Sequence, residues 1–193
     1  MGLSIRTYNK SECITFKSTK GHFGSLSNMA PGFPIYVDGC FIRTVEALYQ
    51  ALRFPEYPEI QKKIIEYPSP ISAKKLGRTN IEKSRKDWEK HRFKIMKFCI
   101  ELKLYQNREL FAKALLETKD LPIVEYTDKD KVWGAVADGN NYTGTNALGR
   151  LLMELRDNLK SDTFKLVIPQ IEELKFLGKE ITYDQLNSAP NDI

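Results

Sequence analysis

Histidine is nearly absent from this chain, with His22 and His91 the only two in 193 residues. No HExxH pair and no Cys/His cluster can be assembled, which removes the usual zinc signatures. A magnesium held by carboxylates is the metal site that the sequence still permits. Cysteine is equally scarce. Cys13, Cys40 and Cys99 are odd in number, far apart and without a CxxC pair, a pattern of reduced thiols in a cytosol and not of a disulfide frame. No apolar run approaches membrane-spanning length, and MGLSIRTYNK lacks the apolar stretch of a signal peptide, so the expected address is the cytoplasm. Internal repeats and low-complexity tracts are missing too.

What is present suits a folded domain. Hydrophobic residues make up 41% and aromatic residues 11%, enough for a real core and too much for general disorder. The formal charge of +5 and pI near 9.0 suit an anionic partner such as a nucleotide, a nucleic acid or a phosphorylated metabolite. Charge of this size also serves solubility.

The pattern of elements is mixed. Cys13 to Phe16 reads as a short strand, and the Gly- and Ser-rich HFGSLSN (22 to 28) as a loop. Ile35-Tyr-Val and Cys40-Phe-Ile flank Asp38-Gly39, a strong hairpin signal. Thr44 caps a helix that reads TVEALYQALRF, where Val45, Leu48 and Leu52 form an apolar face. Glu46 and Gln50 stand one turn apart on another face, with Tyr49 beside them. Further helices are expected over Glu59 to Tyr67, from Ser69-Pro70 to Gly77, and over Lys86 to Tyr105. From Lys83 to Lys103 there are eight Lys/Arg against three Asp/Glu, so one side of the long helix is basic. Lys103 is set apart by its position three residues after Ile100, at the edge of the apolar stripe.

Arg108 to Glu117 predicts another helix and Ile123 to Tyr126 a strand. Tyr126 to Asn146 reads as a long loop, functional because it carries Trp133. Ala147 to Leu159 predicts the last core helix, with Asn146, Gly149, Met153 and Arg156 along one stripe. Gly149 inside that helix calls for close packing or ligand approach. Phe164 to Ile168 and Ile181 to Tyr183 read as edge strands, and SAPNDI as a frayed end. The division predicted is a core of residues 10–159 and a C-terminal extension of 160–193.

Periodicity places Glu46, Gln50, Lys103, Asn146 and Arg156 near burial, with Trp88, Trp133 and Tyr49 as flat surfaces. Together these suit a nucleoside-like ligand: aromatics stack on a base, amides read its edge and a guanidinium pairs with phosphate. Plainer readings stand beside each. Glu46 also reads as a surface carboxylate, Trp133 as a core anchor, Arg156 as a partner of Asp157 or Glu154, and Lys103 as an amphipath with its stem on apolar surface.

The ordered series LSN (26–28), VEALYQALRF, AKKLGR (73–78), Trp88, KLYQN (103–107), LLET, VEYT, DKVWG (130–134) and GTNALGRLLMELR (144–156) resembles the NADAR, or YbiA-like, family. The resemblance spans roughly residues 13 to 159. Where the family pattern often has His and Phe, this chain has Ala47 and Leu104, which excludes a catalytic histidine there. The resemblance implies an α+β fold, a predominantly helical compact single domain with a small antiparallel β element. It also implies N-glycosidase activity at a ribosyl C1′–N bond. Two substrate classes follow: ADP-ribose on guanine of DNA or RNA, and ribosylamino-pyrimidine phosphates of riboflavin biosynthesis.

By the same resemblance Glu46, Lys103 and Asp130 are the catalytic residues. Glu46 stabilises the oxocarbenium or activates water with Asp130 in support, or Lys103 attacks C1′ and forms a Schiff base. Arg78 and Arg156 are the phosphate candidates, Asn28 and Asn146 polar contacts, and Trp133 stacks on the base or excludes water. Tyr49, Gln50, Trp88 and Gly134 complete the expected substrate site, and no metal or redox cofactor is implied. A non-catalytic module that binds ADP-ribose or nucleic acid through the basic helix is the alternative, and a purely structural partner domain a third reading.

Overall fold

The structure, a computed structural model, describes residues 4–187. SAPNDI lies outside the described residues. The elements in chain order are β1 (Arg6–Asn9), β2 (Ile14–Phe16), β3 (Ile35–Val37), β4 (Cys40–Ile42), α1 (Val45–Ala51), α2 (Pro58–Glu66), α3 (Pro70–Thr79) and α4 (Trp88–Gln106). Then come α5 (Arg108–Glu117), β5 (Ile123–Glu125), β6 (Val136–Asp138), β7 (Asn141–Gly144), α6 (Ala147–Lys160), β8 (Lys175–Phe176), β9 (Lys179–Glu180) and α7 (Tyr183–Asn187). Helices dominate and the class is α+β. Among the described residues no helix is long and apolar enough to cross a membrane. Two compact units divide the described chain, one of residues 4–30 with 108–165 and one of 31–107 with 166–187.

In the first unit, β1, β7 and β6 form an antiparallel sheet, and β2 lies parallel to β5. α6 packs against β5 and α5, burying Leu148, Leu152 and Leu155. The stretch from Tyr126 to Asn146 is therefore not one long loop. Its second half is the β6–β7 hairpin, turned at Gly139 with φ +54°, and β7 takes β1 as its second neighbour with Tyr8 opposite Tyr142. The Gly- and Asn-rich composition hid a strand whose partner is supplied by the far end of the chain.

In the second unit, the β3–β4 hairpin turns at Asp38 and Gly39, whose φ values of +52° and +72° fit a tight primed turn. Thr44 Oγ1 accepts from Ala47 N at 3.2 Å and so caps α1. Pro58 and Pro70 start α2 and α3, where a missing N–H costs nothing. α1 packs against α2, α3 and α4 and is buried along its whole length. Leu48 and Leu52 are fully enclosed, each worth about 2 kcal/mol of transfer free energy.

Residues 166–187 add the β8–β9 ribbon and α7 and bury Ile171, Leu174, Phe176, Ile181 and Leu186. Neither edge strand expected here forms. Leu166 to Ile168 is held by the Tyr183 side chain, whose hydroxyl accepts from Ile168 N at 3.3 Å and donates to Leu166 O at 3.4 Å, and Pro169 follows. Tyr183 itself opens α7, with Gln185 Oε1 reaching back to Thr182 N at 2.9 Å. A side chain supplies what a strand neighbour was expected to supply.

Candidate active site

The polar side of α1 does not face water. Glu46 is 2% exposed and Gln50 5%, and Gln50 Nε2 donates to Glu46 Oε1 at 2.9 Å. That bond fixes the amide, and Gln50 Oε1 is left buried without a hydrogen-bond partner. It rests instead on Gly77 of α3, where a Cβ would collide with it. Gly77 therefore lets α3 approach the Glu46–Gln50 pair. One turn along, the Tyr49 ring lies 4.9 Å from the Trp88 indole, which is itself buried. Burial, and then the Glu46 charge, push the Tyr49 hydroxyl far above its ordinary range. The same two causes raise the Cys99 thiol on α4.

Lys103 is 1% exposed, with Nζ 4.2 Å from the centre of the Phe33 ring. Burial holds its amine well below the usual lysine range, which favours the neutral form. The rest of KLYQN explains how the ring is kept there. Gln106 Oε1 accepts from Tyr36 N at 2.8 Å, and its Nε2 donates to Tyr36 O at 2.9 Å. Asn107 Nδ2 donates to Pro34 O at 2.9 Å. Two amides thus clamp residues 34 to 36 onto the end of α4, next to Phe33. Arg78 stands exposed in the last turn of α3.

In the first unit, DKVWG and GTNA are two halves of one knot. Asp130 Oδ1 accepts from Val132 N at 2.8 Å and Trp133 N at 2.9 Å, tightening the turn. The carbonyls of Lys131, Gly134, Val132 and Trp133 then accept from the amides of Thr145, Asn146, Ala147 and Leu148. These bonds give protein carbonyls to the amides of Asn146, Ala147 and Leu148 at the start of α6. Asn146 sits at φ +51°, and its side chain donates to Ile123 O at 2.8 Å and accepts from Glu125 N at 3.0 Å. A Cβ on Gly149 would strike that carboxamide and the Ile123 carbonyl, so close packing accounts for this glycine. Gly134 is similarly closed in by Glu125 O and Thr127.

Arg156 is buried and donates to Leu121 O at 2.7 Å, Thr118 Oγ1 at 3.1 Å and Asp157 Oδ1 at 3.2 Å. It ties α6 to the turn after α5. Trp133 is half-buried, and so is Asn28, just past the 3-10 turn Gly24–Leu26. Among the described residues no group of His, Cys, Asp and Glu gathers as a metal-ligand set. Sequence pattern does not single out Phe33, because no periodicity links it to Lys103, whereas Gln106 stands within KLYQN three residues after it. Arg53 was within reach, seven residues after Glu46 in the same segment.

Comparison with known proteins adds to this geometry. The NADAR domain family model matches residues 15–160. An N-glycosidase YbiA of Shigella boydii is 39% identical over 146 residues, 76% of this chain and 88% of the relative. A riboflavin biosynthesis protein of Vibrio vulnificus is 33% identical over 156 residues, 81% of this chain and 41% of its own length. Among solved structures, the NMR structure of the Escherichia coli protein YbiA matches with a TM-score of 0.67 at 34% identity, covering 82% of this chain and 91% of that one.

Proposed function

The chain belongs to the NADAR family, and from that premise we propose that it is an N-glycosidase that cuts a ribosyl C1′–N bond. The observation that carries the reading is a carboxylate buried to 2% exposure and oriented by an amide one turn away, in the same unit as a buried lysine. A developing oxocarbenium needs a fixed negative charge in a place poor in water, and Glu46 offers one. Relatives named N-glycosidase support the bond type.

Two routes share these residues. In the first, the base departs with the glycosidic electrons and takes a proton from solvent, while Glu46 stabilises the cation and then accepts a proton from the water that adds to C1′. In the second, neutral Lys103 Nζ attacks C1′ as the base leaves. The proton that Nζ loses balances the one the base takes, ring opening gives an imine, and water hydrolyses it to release the sugar with its phosphate or ADP group and restore the amine. The burial of Lys103 favours this route by keeping the amine unprotonated.

The proposed substrates are ADP-ribosylated guanine in nucleic acid and ribosylamino-pyrimidine phosphates, used in the cytoplasm. Asp130, Asn28, Arg78 and Trp133 remain proposed site residues on the family pattern, whereas Asn146, Gly134 and Arg156 serve the framework. Exposed Lys86, Lys90 and Lys94 favour a second reading, a module that binds nucleic acid without cutting.

The test is to incubate the protein with each substrate and follow free base or ADP-ribose by mass spectrometry, with borohydride in a parallel arm. Base release from one of them is expected, and a reduced adduct on Lys103 marks the second route. Salt-sensitive nucleic-acid binding with no release from either substrate would favour the binding module instead.

A further inference from the structure

Helical spacing carries Glu46, Tyr49, Gln50 and Arg53 down one side of α1 and the turn after it, at steps of three, four and seven residues. Arg53 is pinned in place. Its Nε donates to Ser84 Oγ at 2.6 Å, and its guanidinium carbon lies 5.2 Å from the centre of the Trp88 ring. Its two terminal nitrogens have no hydrogen-bond partner among the described residues. Arg92 projects from α4 one turn after Trp88. Its buried Nε also lacks a hydrogen-bond partner, since Glu89 Oε2 stands 3.1 Å away but off the N–H direction.

Arg53 lies over the Trp88 indole, and Arg92, four residues after Trp88 on the same helix, lies over the Phe93 ring at 4.7 Å. One carboxylate, Glu89, which is 75% exposed, pairs with Arg92 and also acts on Arg53. The charges of Arg92 and Arg53 both reach Tyr49 and act against the rise of its hydroxyl. Burial lowers the affinity of Arg53 for its proton, Tyr49 and Glu89 act against that, and the Arg92 charge adds to the lowering. Unspent donors, like charges held together and a flat aromatic wall describe a place built for a planar-forked bond to an oxyanion.

We propose that Arg53 and Arg92 form a clamp for a phosphate group beside Trp88, at the opposite end of the α1 stripe from Glu46. The identity of what the phosphate is attached to, a ribose whose C1′ meets Glu46, rests on the N-glycosidase reading. The clamp itself does not. The family resemblance put forward Arg78 and Arg156 for a phosphate, and the clamp adds Arg53 and Arg92 to Arg78.

The test is calorimetric titration of the full chain with ribose 5-phosphate, inorganic phosphate and ribose, alongside turnover. Ribose 5-phosphate is expected to bind and ribose to bind far more weakly. Arg92→Gln should weaken the phosphate ligands by about tenfold, the loss of one charge-assisted contact. Arg53→Lys keeps a charge on Trp88 and should lose less than Arg53→Gln. Glu89→Gln removes the competing carboxylate and should tighten phosphate binding. The side chain of Arg92 makes no hydrogen bond among the described residues, so its variant keeps the test valid if Arg53→Gln unfolds. Equal affinity for ribose and ribose 5-phosphate, or unchanged phosphate affinity in Arg92→Gln, would overturn the clamp even if glycosidase turnover is found. Arginine-dependent phosphate binding without cleavage of any N-glycoside would uphold the clamp and overturn the glycosidase reading.

Discussion

Gly77 and Gln50 make the contact where one methyl group has the most to say. A Cβ at Gly77 would displace the end of the Gln50 side chain, not backbone, so the fold can yield. Alanine also favours the helix by about 1 kcal/mol over glycine. Gly77→Ala should therefore melt within a few degrees of the wild type while Gln50 turns away from Glu46. Steady-state assays should show kcat/KM down by about tenfold or more.

Lys103 offers a test by pH. The unfolded lysine holds its proton up to its ordinary 10.5, whereas the buried amine gives it up at lower pH. Between those two values the unfolded state binds more protons, so the burden of burying Lys103 is full at low pH and fades as pH rises toward 10.5. Lys103→Met should be more stable than the wild type at pH 7 in urea titrations, and its advantage should shrink by pH 10. An advantage that grows with pH would contradict the burial of a neutral amine.

At the level of elements, the knot before α6 is the firmest prediction. Asn146→Ala removes one buried and one part-buried hydrogen bond and forces a left-handed residue without the asparagine side chain, a loss of about 3 kcal/mol. Asn146→Gly relieves the backbone and should recover only part of it in chemical denaturation. The helices α1, α4, α5 and α6 and the Asp38-Gly39 hairpin were legible in the sequence because their signals are local: apolar period, cap and turn residues. The β1–β7 ladder was not, since Arg6 to Asn9 has one buried residue and pairs with Asn141 to Gly144 across most of the chain. The polar side of α1 was legible as a stripe but not as buried, because helical spacing is the same whether α3 and α4 cover it or water does.

At the level of the whole molecule, residues 166–187 belong physically with the elements that carry Glu46 and Lys103. Gln61, fully buried, donates to Ala51 O at 3.1 Å and Lys175 O at 2.9 Å and accepts from Leu177 N at 2.6 Å. Gln106 donates to Leu186 O at 2.8 Å, and Asp38 N to Gln185 O at 2.9 Å. Arg85 bonds both Asp87 and Glu172 O. None of this was readable in advance, since a backbone carbonyl accepts from an amide whatever residue carries it. Gln61→Ala should cost about 3 kcal/mol and raise hydrogen exchange at Leu177 and along α1 together. Faster exchange at Leu177 alone would mean that the segment lies on the unit without bracing it.

Glu46→Gln is the most direct probe of the chemistry. It keeps the length of the side chain and removes the charge that the ribosyl cation requires. Released base, measured by mass spectrometry from ADP-ribosylated guanine DNA and from a ribosylamino-pyrimidine phosphate, should fall at least about a hundredfold, with the melting temperature nearly unchanged. Turnover equal to the wild type would remove Glu46 from the mechanism and return the buried pair on α1 to a role in the fold alone.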